Sequence, residues 1–159
     1  MSVITFEQAV KTFSDTVYRV SLNILKNPQD TEDVMQNVFL RYLKHQHTFE
    51  SEEHIKAWLI RVSVNESKRF LKLNSKSESV TLEEVANTLF SESSEEGDIF
   101  KEVMSLDEKY RTVILLYYYE GYDVKEIAHI LKRNQATVRT QLSRARELLK
   151  PKLKEDFYE

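Results

Sequence analysis

Near the C-terminus, Arg139, Thr140, Ser143 and Arg144 fall on one side of a stretch with helical spacing. An arginine can bond bidentately to guanine, and a threonine or serine can reach a base edge or a phosphate, so such a face suits a major groove. Gln135 to Thr137 open the same stretch, where free backbone N–H groups can hold a phosphate. A second set, Trp58, Arg61, Asn65, Lys68, Arg69 and Lys72, recurs at i, i+3, i+7, i+10, i+11 and i+14. Beside a connection carrying His45, His47 and Phe49, it offers the π-faces and cations that single-stranded or opened DNA takes up. A third set, Asp33, Gln36, Asn37, Leu40 and Arg41, makes a largely polar helix face that nevertheless contains a leucine. Each set also has a plainer reading. The first fits an ordinary amphipathic helical hairpin, and the second a solvated basic face with Trp58 half sunk in a core.

The elements that must carry these sets read as helices throughout. Thr5 with Gln8 forms a capping box opening a first helix that reaches about Lys26 and is buried through Phe6, Val10, Phe13, Val17, Val20 and Ile24. Asn27 and Pro28 stop it. Asp30 suits the N-cap of a second helix, to about His45, with Val34, Met35, Val38, Phe39, Tyr42 and Leu43 inward. A polar connection, Gln46 to Glu53, leads to a third helix that ends near Leu73 and is buried through Ile55, Leu59, Val62 and Phe70.

From Asn74 to Gly97 the chain is rich in serine and glutamate and reads as a linker, with Thr81 and Glu84 capping a short helix over residues 82–90. Beyond it, Ser105 with Glu108 caps a segment ending at Gly121. Its run Val113 to Tyr119 has strand-like content, but the caps and the length favour a helix. Asp123 with Glu126 caps a short helix to Leu131. Lys132, Arg133 and Asn134 make a turn, and Gln135 to Lys150 form a longer helix buried through Val138, Leu142, Ala145 and Leu149. Ile127 and Leu131 are expected to face inward, Ala128 lets the two helices approach, and Asn134 takes the left-handed position of this glycine-free turn.

Composition narrows the class. The only glycines and prolines among 159 residues are Pro28, Gly97, Gly121 and Pro151, which favours an all-α chain. With no cysteine there are no disulfides or thiolate ligands, and the chain fits a reducing compartment. No leader-like N-terminus and no run of eighteen apolar residues occurs. The net charge of −3 hides an uneven distribution. Acids dominate residues 74–107, where Lys76 and Lys101 are the only cations, whereas from Arg133 to Lys154 the only acid is Glu147. That last segment is attractive to phosphate whatever the average. His45, His47 and His54 have no evident carboxylate or cysteine companion, so no metal or other cofactor is read. Without a phosphate loop, a cysteine nucleophile or a paired acid–base site, neither is an enzyme.

Two stretches together carry a family resemblance. The run Asp30-Thr-Glu-Asp33-Val-Met-Gln36-Asn-Val-Phe39, followed by Ala57-Trp58-Leu59-Ile60-Arg61-Val62 and Asn65, resembles region 2 of the extracytoplasmic-function group of sigma-70-type sigma factors. Leu106 to Arg111, Glu120-Gly121, Glu126-Ile127-Ala128, Thr137-Val138-Arg139 and Arg144-Ala145-Arg146 resemble region 4. The resemblance implies two small helical domains, residues 1–73 and 99–159, joined by an acidic linker over 74–98. It implies that Asp33, Gln36, Asn37 and Leu40 meet the clamp helices of the polymerase β′ subunit. By the same resemblance, Phe49, Trp58, Arg61, Asn65, Lys68 and Arg69 serve the minus-ten promoter element. Arg133, Gln135, Thr137, Arg139, Thr140, Ser143 and Arg144 serve the minus-thirty-five element.

The implied partners are core RNA polymerase, including its β flap, promoter DNA and an anti-sigma factor. The implied place is the cytoplasm, at the nucleoid when active or held at the membrane by the anti-sigma factor, with no membrane insertion of its own. The chain departs from the family pattern in three places. Asp107 stands where a proline is common, residues 48–53 are acidic and lack the usual arginine and glycine, and Asn37 replaces an acid. The residues alone also leave open a polymerase-independent helix-turn-helix regulator, and an adaptor whose basic helix binds an acidic protein.

Overall fold

The structure is a computed structural model that describes residues 3–46, 48–74 and 95–157. Among these residues every regular element is helical, and no helix is long and apolar enough to cross a membrane. The chain divides into two compact units, Met1–Ser77 and Glu78–Glu159. The expected short helix at residues 82–90 and His47 lie outside the described residues.

The first unit is a three-helix bundle of α1 (Phe6–Leu25), α2 (Pro28–His45) and α3 (Glu52–Leu73), each packed on the other two. The capping box at α1 forms as the sequence predicts: the Gln8 N–H donates to Thr5 Oγ1 at 3.1 Å and the Thr5 N–H to Gln8 Oε1 at 2.9 Å. At the other end Lys26 turns left-handed, φ 57°, and its N–H returns to the Leu22 carbonyl at 2.8 Å. The next helix begins at once, three residues earlier than expected. Asn27, not Asp30, is the cap, its side chain accepting the Asp30 N–H at 3.0 Å, and Pro28 takes a first-turn position where its missing donor costs nothing.

Ala9, Phe13 and Val17 of α1 meet Val34, Val38, Phe39 and Tyr42 of α2 and Ile55, Leu59 and Val62 of α3 in one core. Leu43, expected inside, is exposed: the α2 stripe narrows at its end, where Tyr42 alone turns inward.

The second unit contains α4 (Glu95–Met104), α5 (Glu108–Ile114), α6 (Val124–Leu131) and α7 (Gln135–Phe157), with a π-helical stretch over Leu115–Tyr119 continuing α5. Helix α4 starts inside the segment that the sequence assigns to the linker. Ser105 does not cap α5. Its hydroxyl donates back to the Glu102 carbonyl at 2.6 Å, and Asp107 is the residue at the cap position. The strand-like run is helical but not regular: the Glu120 N–H reaches the Leu115 carbonyl at 3.0 Å, five residues back, which adds a residue to the turn. Gly121 then takes φ 78° and ends the element.

Arg111, on α5 itself, is buried and donates to the Leu106 carbonyl at 2.6 Å. Burial lowers its pKa, while Glu108 and Asp107 pull the other way and keep the guanidinium compensated.

Candidate nucleic-acid interface

Helices α6 and α7 form the bihelical unit expected from the sequence. Asp123 and Glu126 cap α6 reciprocally, at 2.8 and 3.1 Å. Ile127, Ala128 and Ile130 are buried and Leu131 only partly so, which moves the inward face of α6 by one position from the expected one. The turn is built without glycine, and the strained residue is Lys132, φ 54° and ψ 50°, rather than Asn134. Position explains this. The left-handed residue must directly follow the last helical one, so that the Arg133 N–H reaches the Ala128 carbonyl at 2.9 Å and the Lys132 N–H that of His129 at 3.4 Å.

On α7 the stripe Val138, Leu142, Ala145 and Leu149 is buried, and Gln135, Thr137, Arg139, Thr140, Ser143 and Arg144 are exposed. Arg133 is half-buried and donates to Gln141 Oε1 at 3.0 Å, so it braces the turn against α7. A shallow recess between α5 and α7 is lined by Lys109, Tyr110, Ala136, Thr137, Thr140, Gln141 and Arg144. Lys109 has no counterpart in the sequence reading, because no periodicity links α5 to the face of α7. Arg146 belongs elsewhere: its guanidinium lies 5.4 Å from the Tyr117 ring centre and 5.6 Å from that of Tyr118, and Nε donates to Tyr118 Oη at 2.5 Å. That hydrogen bond is the main reason its pKa is raised.

In the first unit, Asn65, Lys68 and Arg69 are exposed on α3, and Trp58 and Arg61 are half-buried beside them. Trp58 packs against Phe49 at 5.4 Å, His45 at 5.9 Å and Tyr42 at 6.3 Å between ring centres. Phe49 is 5% exposed and sits in the core between Tyr42, His54 and Trp58. Its connection folds inward because the Glu50 N–H donates to His54 Nδ1 at 3.3 Å and the Thr48 hydroxyl to the His45 carbonyl at 2.8 Å.

Glu66 is buried at the seam of α2 and α3. It pairs with Arg41, with Arg69 at 3.8 Å on its other oxygen, as a carboxylate withdrawn from water requires. On α2, Asp33, Gln36, Asn37 and Leu40 are all exposed, Leu40 at 56%. A recess lined by Phe6, Val10, Met35, Phe39 and Leu40 runs alongside them.

A three-helix unit with a polar face interrupted by leucine, followed by a helix-turn-helix with a cationic face, defines a class of two-part, all-helical DNA-binding chains. The family model for sigma-70 region 2 matches residues 9–77, and that for sigma-70 region 4 matches residues 98–149. The RNA polymerase sigma factor SigV of Bacillus subtilis is 30% identical over 145 residues, 88% of this chain and 86% of that protein. The ECF RNA polymerase sigma factor SigM of the same organism is 27% identical over 154 residues, 92% of this chain and 93% of that one. Among solved structures, the sigma factor RpoE in complex with the anti-sigma factor NepR from Bartonella quintana has the same fold. Its TM-score is 0.71 at 22% identity, covering 94% of this chain and 96% of that one. CnrH in complex with the cytosolic domain of CnrY has a TM-score of 0.70 at 22% identity, covering 95% and 88%. The chain belongs to the sigma-70 family of RNA polymerase sigma factors, in its extracytoplasmic-function group.

Proposed function

We propose that the chain joins core RNA polymerase and directs it to bipartite promoters, with one promoter element read by each unit. The single observation that carries this reading is the sorting of α7 into a fully buried apolar stripe and an exposed face of Arg139, Thr140, Ser143 and Arg144. Arginine forks and short hydroxyls at the front of a recognition helix are the chemistry of major-groove readout. Gln135 and Thr137 meet the sugar-phosphate backbone at the start of α7, beside Arg133, which is held by Gln141. Trp58, Arg61, Asn65, Lys68 and Arg69 serve the opened minus-ten element, where an aromatic edge and cations meet unstacked bases and phosphates. Asp33, Gln36, Asn37 and Leu40 dock on the polymerase β′ clamp helices, and the second unit engages the β flap.

Its role is that of an initiation factor rather than a catalyst, exercised in the cytoplasm and at the nucleoid when active. The RpoE and CnrH structures are complexes with the anti-sigma factor NepR and with the cytosolic domain of CnrY. An anti-sigma partner that withholds this chain, in some cells at the membrane, fits the same surfaces. The test is open-complex formation on promoters of the host genome, read by permanganate reactivity of the melted strand. The chain with core polymerase is expected to open promoters that core alone leaves closed. Equal reactivity with and without the chain on every promoter refutes the reading.

A further inference from the structure

The face assigned to duplex DNA above lies on α7, yet α5 brings one more cation to it. We propose that Lys109 is a phosphate-binding residue of the upstream duplex contact, gripping the sugar-phosphate backbone beside the groove that α7 enters. This rests on the reading of α7 as the recognition helix.

Lys109 and Arg144 stand on the α5 and α7 sides of one open recess, with Thr137 and Gln141 between them. Among the described residues, neither cation has a carboxylate partner. The acids beside Lys109 are directed elsewhere: Glu108 accepts the Thr112 hydroxyl at 3.0 Å, and Glu108 and Asp107 both act on buried Arg111, while Glu147, three residues after Arg144, does not line the recess. The recess therefore keeps an uncancelled positive field.

Its neutral groups have the matching polarity. Gln141 Oε1 is occupied by Arg133, which leaves the Gln141 amide N–H groups as the free donors, and the exposed Thr137 hydroxyl adds another. Two cations and these donors suit an anion; the Thr140 hydroxyl, which also lines the recess, has its proton committed to the Ala136 carbonyl at 3.0 Å. Lys109 is also preorganised, its Nζ lying 5.1 Å from the ring centre of Tyr110, a ring that is buried and therefore fixed. Holding the ammonium over that ring lowers the entropy lost when it meets a phosphate. The stability of α5 does not account for the residue, because a cation in a first turn opposes the helix dipole.

The experiment uses the full chain assembled with core polymerase, titrated on promoter DNA across a salt series, with Lys109→Ala, Lys109→Arg and Arg144→Ala compared. Lys109→Ala is expected to weaken binding about threefold at physiological salt, equally on every upstream sequence, and to lower the log–log salt slope by about 1. Lys109→Arg is expected to restore both, and Arg144→Ala to reduce discrimination among upstream sequences. Unchanged affinity and slope for Lys109→Ala beside a defective Arg144→Ala overturns the phosphate contact and leaves the α7 reading intact. If both variants match the wild type, the α7 reading falls and this inference falls with it. A loss for Lys109→Ala that appears already in binding to core polymerase, without DNA, shows a protein contact and also overturns it. Thermal unfolding of each variant separates these results from misfolding, and no shift is expected for so exposed a side chain.

Discussion

At the scale of residues, the cations of α7 divide by what they touch. Arg139 and Arg144 stand free on the proposed groove face, Arg133 is tied to Gln141, and Arg146 is held over Tyr117 and Tyr118. Arg139→Ala or Arg144→Ala is expected to cost about 1–3 kcal/mol of discrimination between the correct and a substituted upstream element if it bonds guanine bidentately. Competition binding on element variants measures this, whereas Arg146→Ala should leave discrimination unchanged. Tyr122 supplies a pH prediction. Its phenol is pushed up to about 12, from 10.0, by burial first and then by Glu120 and Glu126. A proton held more tightly in the folded state adds stability that is complete below about pH 10 and lost as pH rises toward 12. The alkaline fall of Tm between those values should therefore be shallower in Tyr122→Phe, which keeps the ring and removes the ionisation.

At the scale of elements, stability rests on how each helix begins and ends. Lys26 closes one helix and Asn27 caps the next, so Asn27→Ala is expected to cost about 1 kcal/mol in chemical denaturation. Lys132 occupies a left-handed position that glycine adopts without strain. Lys132→Gly is therefore expected to stabilise the chain by up to about 1 kcal/mol, and Lys132→Val to destabilise it.

What the sequence made legible here was local. The capping boxes at Thr5 and Asp123 depend on residues three apart, and the α7 stripe on a simple period, so both could be read directly. Phe49 could not be placed that way, because its burial depends on Tyr42, His54 and Trp58, which come together only when α2 and α3 pack. The same holds for Arg146: counted in sequence it is one more cation for DNA, and only the fold shows the tyrosines that hold it.

At the scale of the whole molecule, two units with separate cores carry the two proposed DNA faces. Covalent linkage raises the effective concentration of the second contact once the first has formed, provided that the DNA presents both at a compatible distance. Inserting about five base pairs between the two promoter elements turns one to the opposite side of the duplex. Open-complex formation by the intact chain with polymerase is expected to collapse on that template and to recover partly with a full-turn insertion. A template in which spacing made no difference would show that only one unit reads DNA.

The widened turn at Leu115–Tyr119 has a geometric consequence of its own. An α-helix advances its side chains by about 100° per residue, so one surplus residue in a turn leaves everything after it rotated by about that amount relative to Val113 and Ile114. The stretch works as a phase shifter. Within it Tyr117 and Tyr118 face Arg146 while Leu116 stays in the core. Removing one residue there would act as a rotation more than a loss, turning the aromatic triplet to a new bearing with its chemistry unchanged.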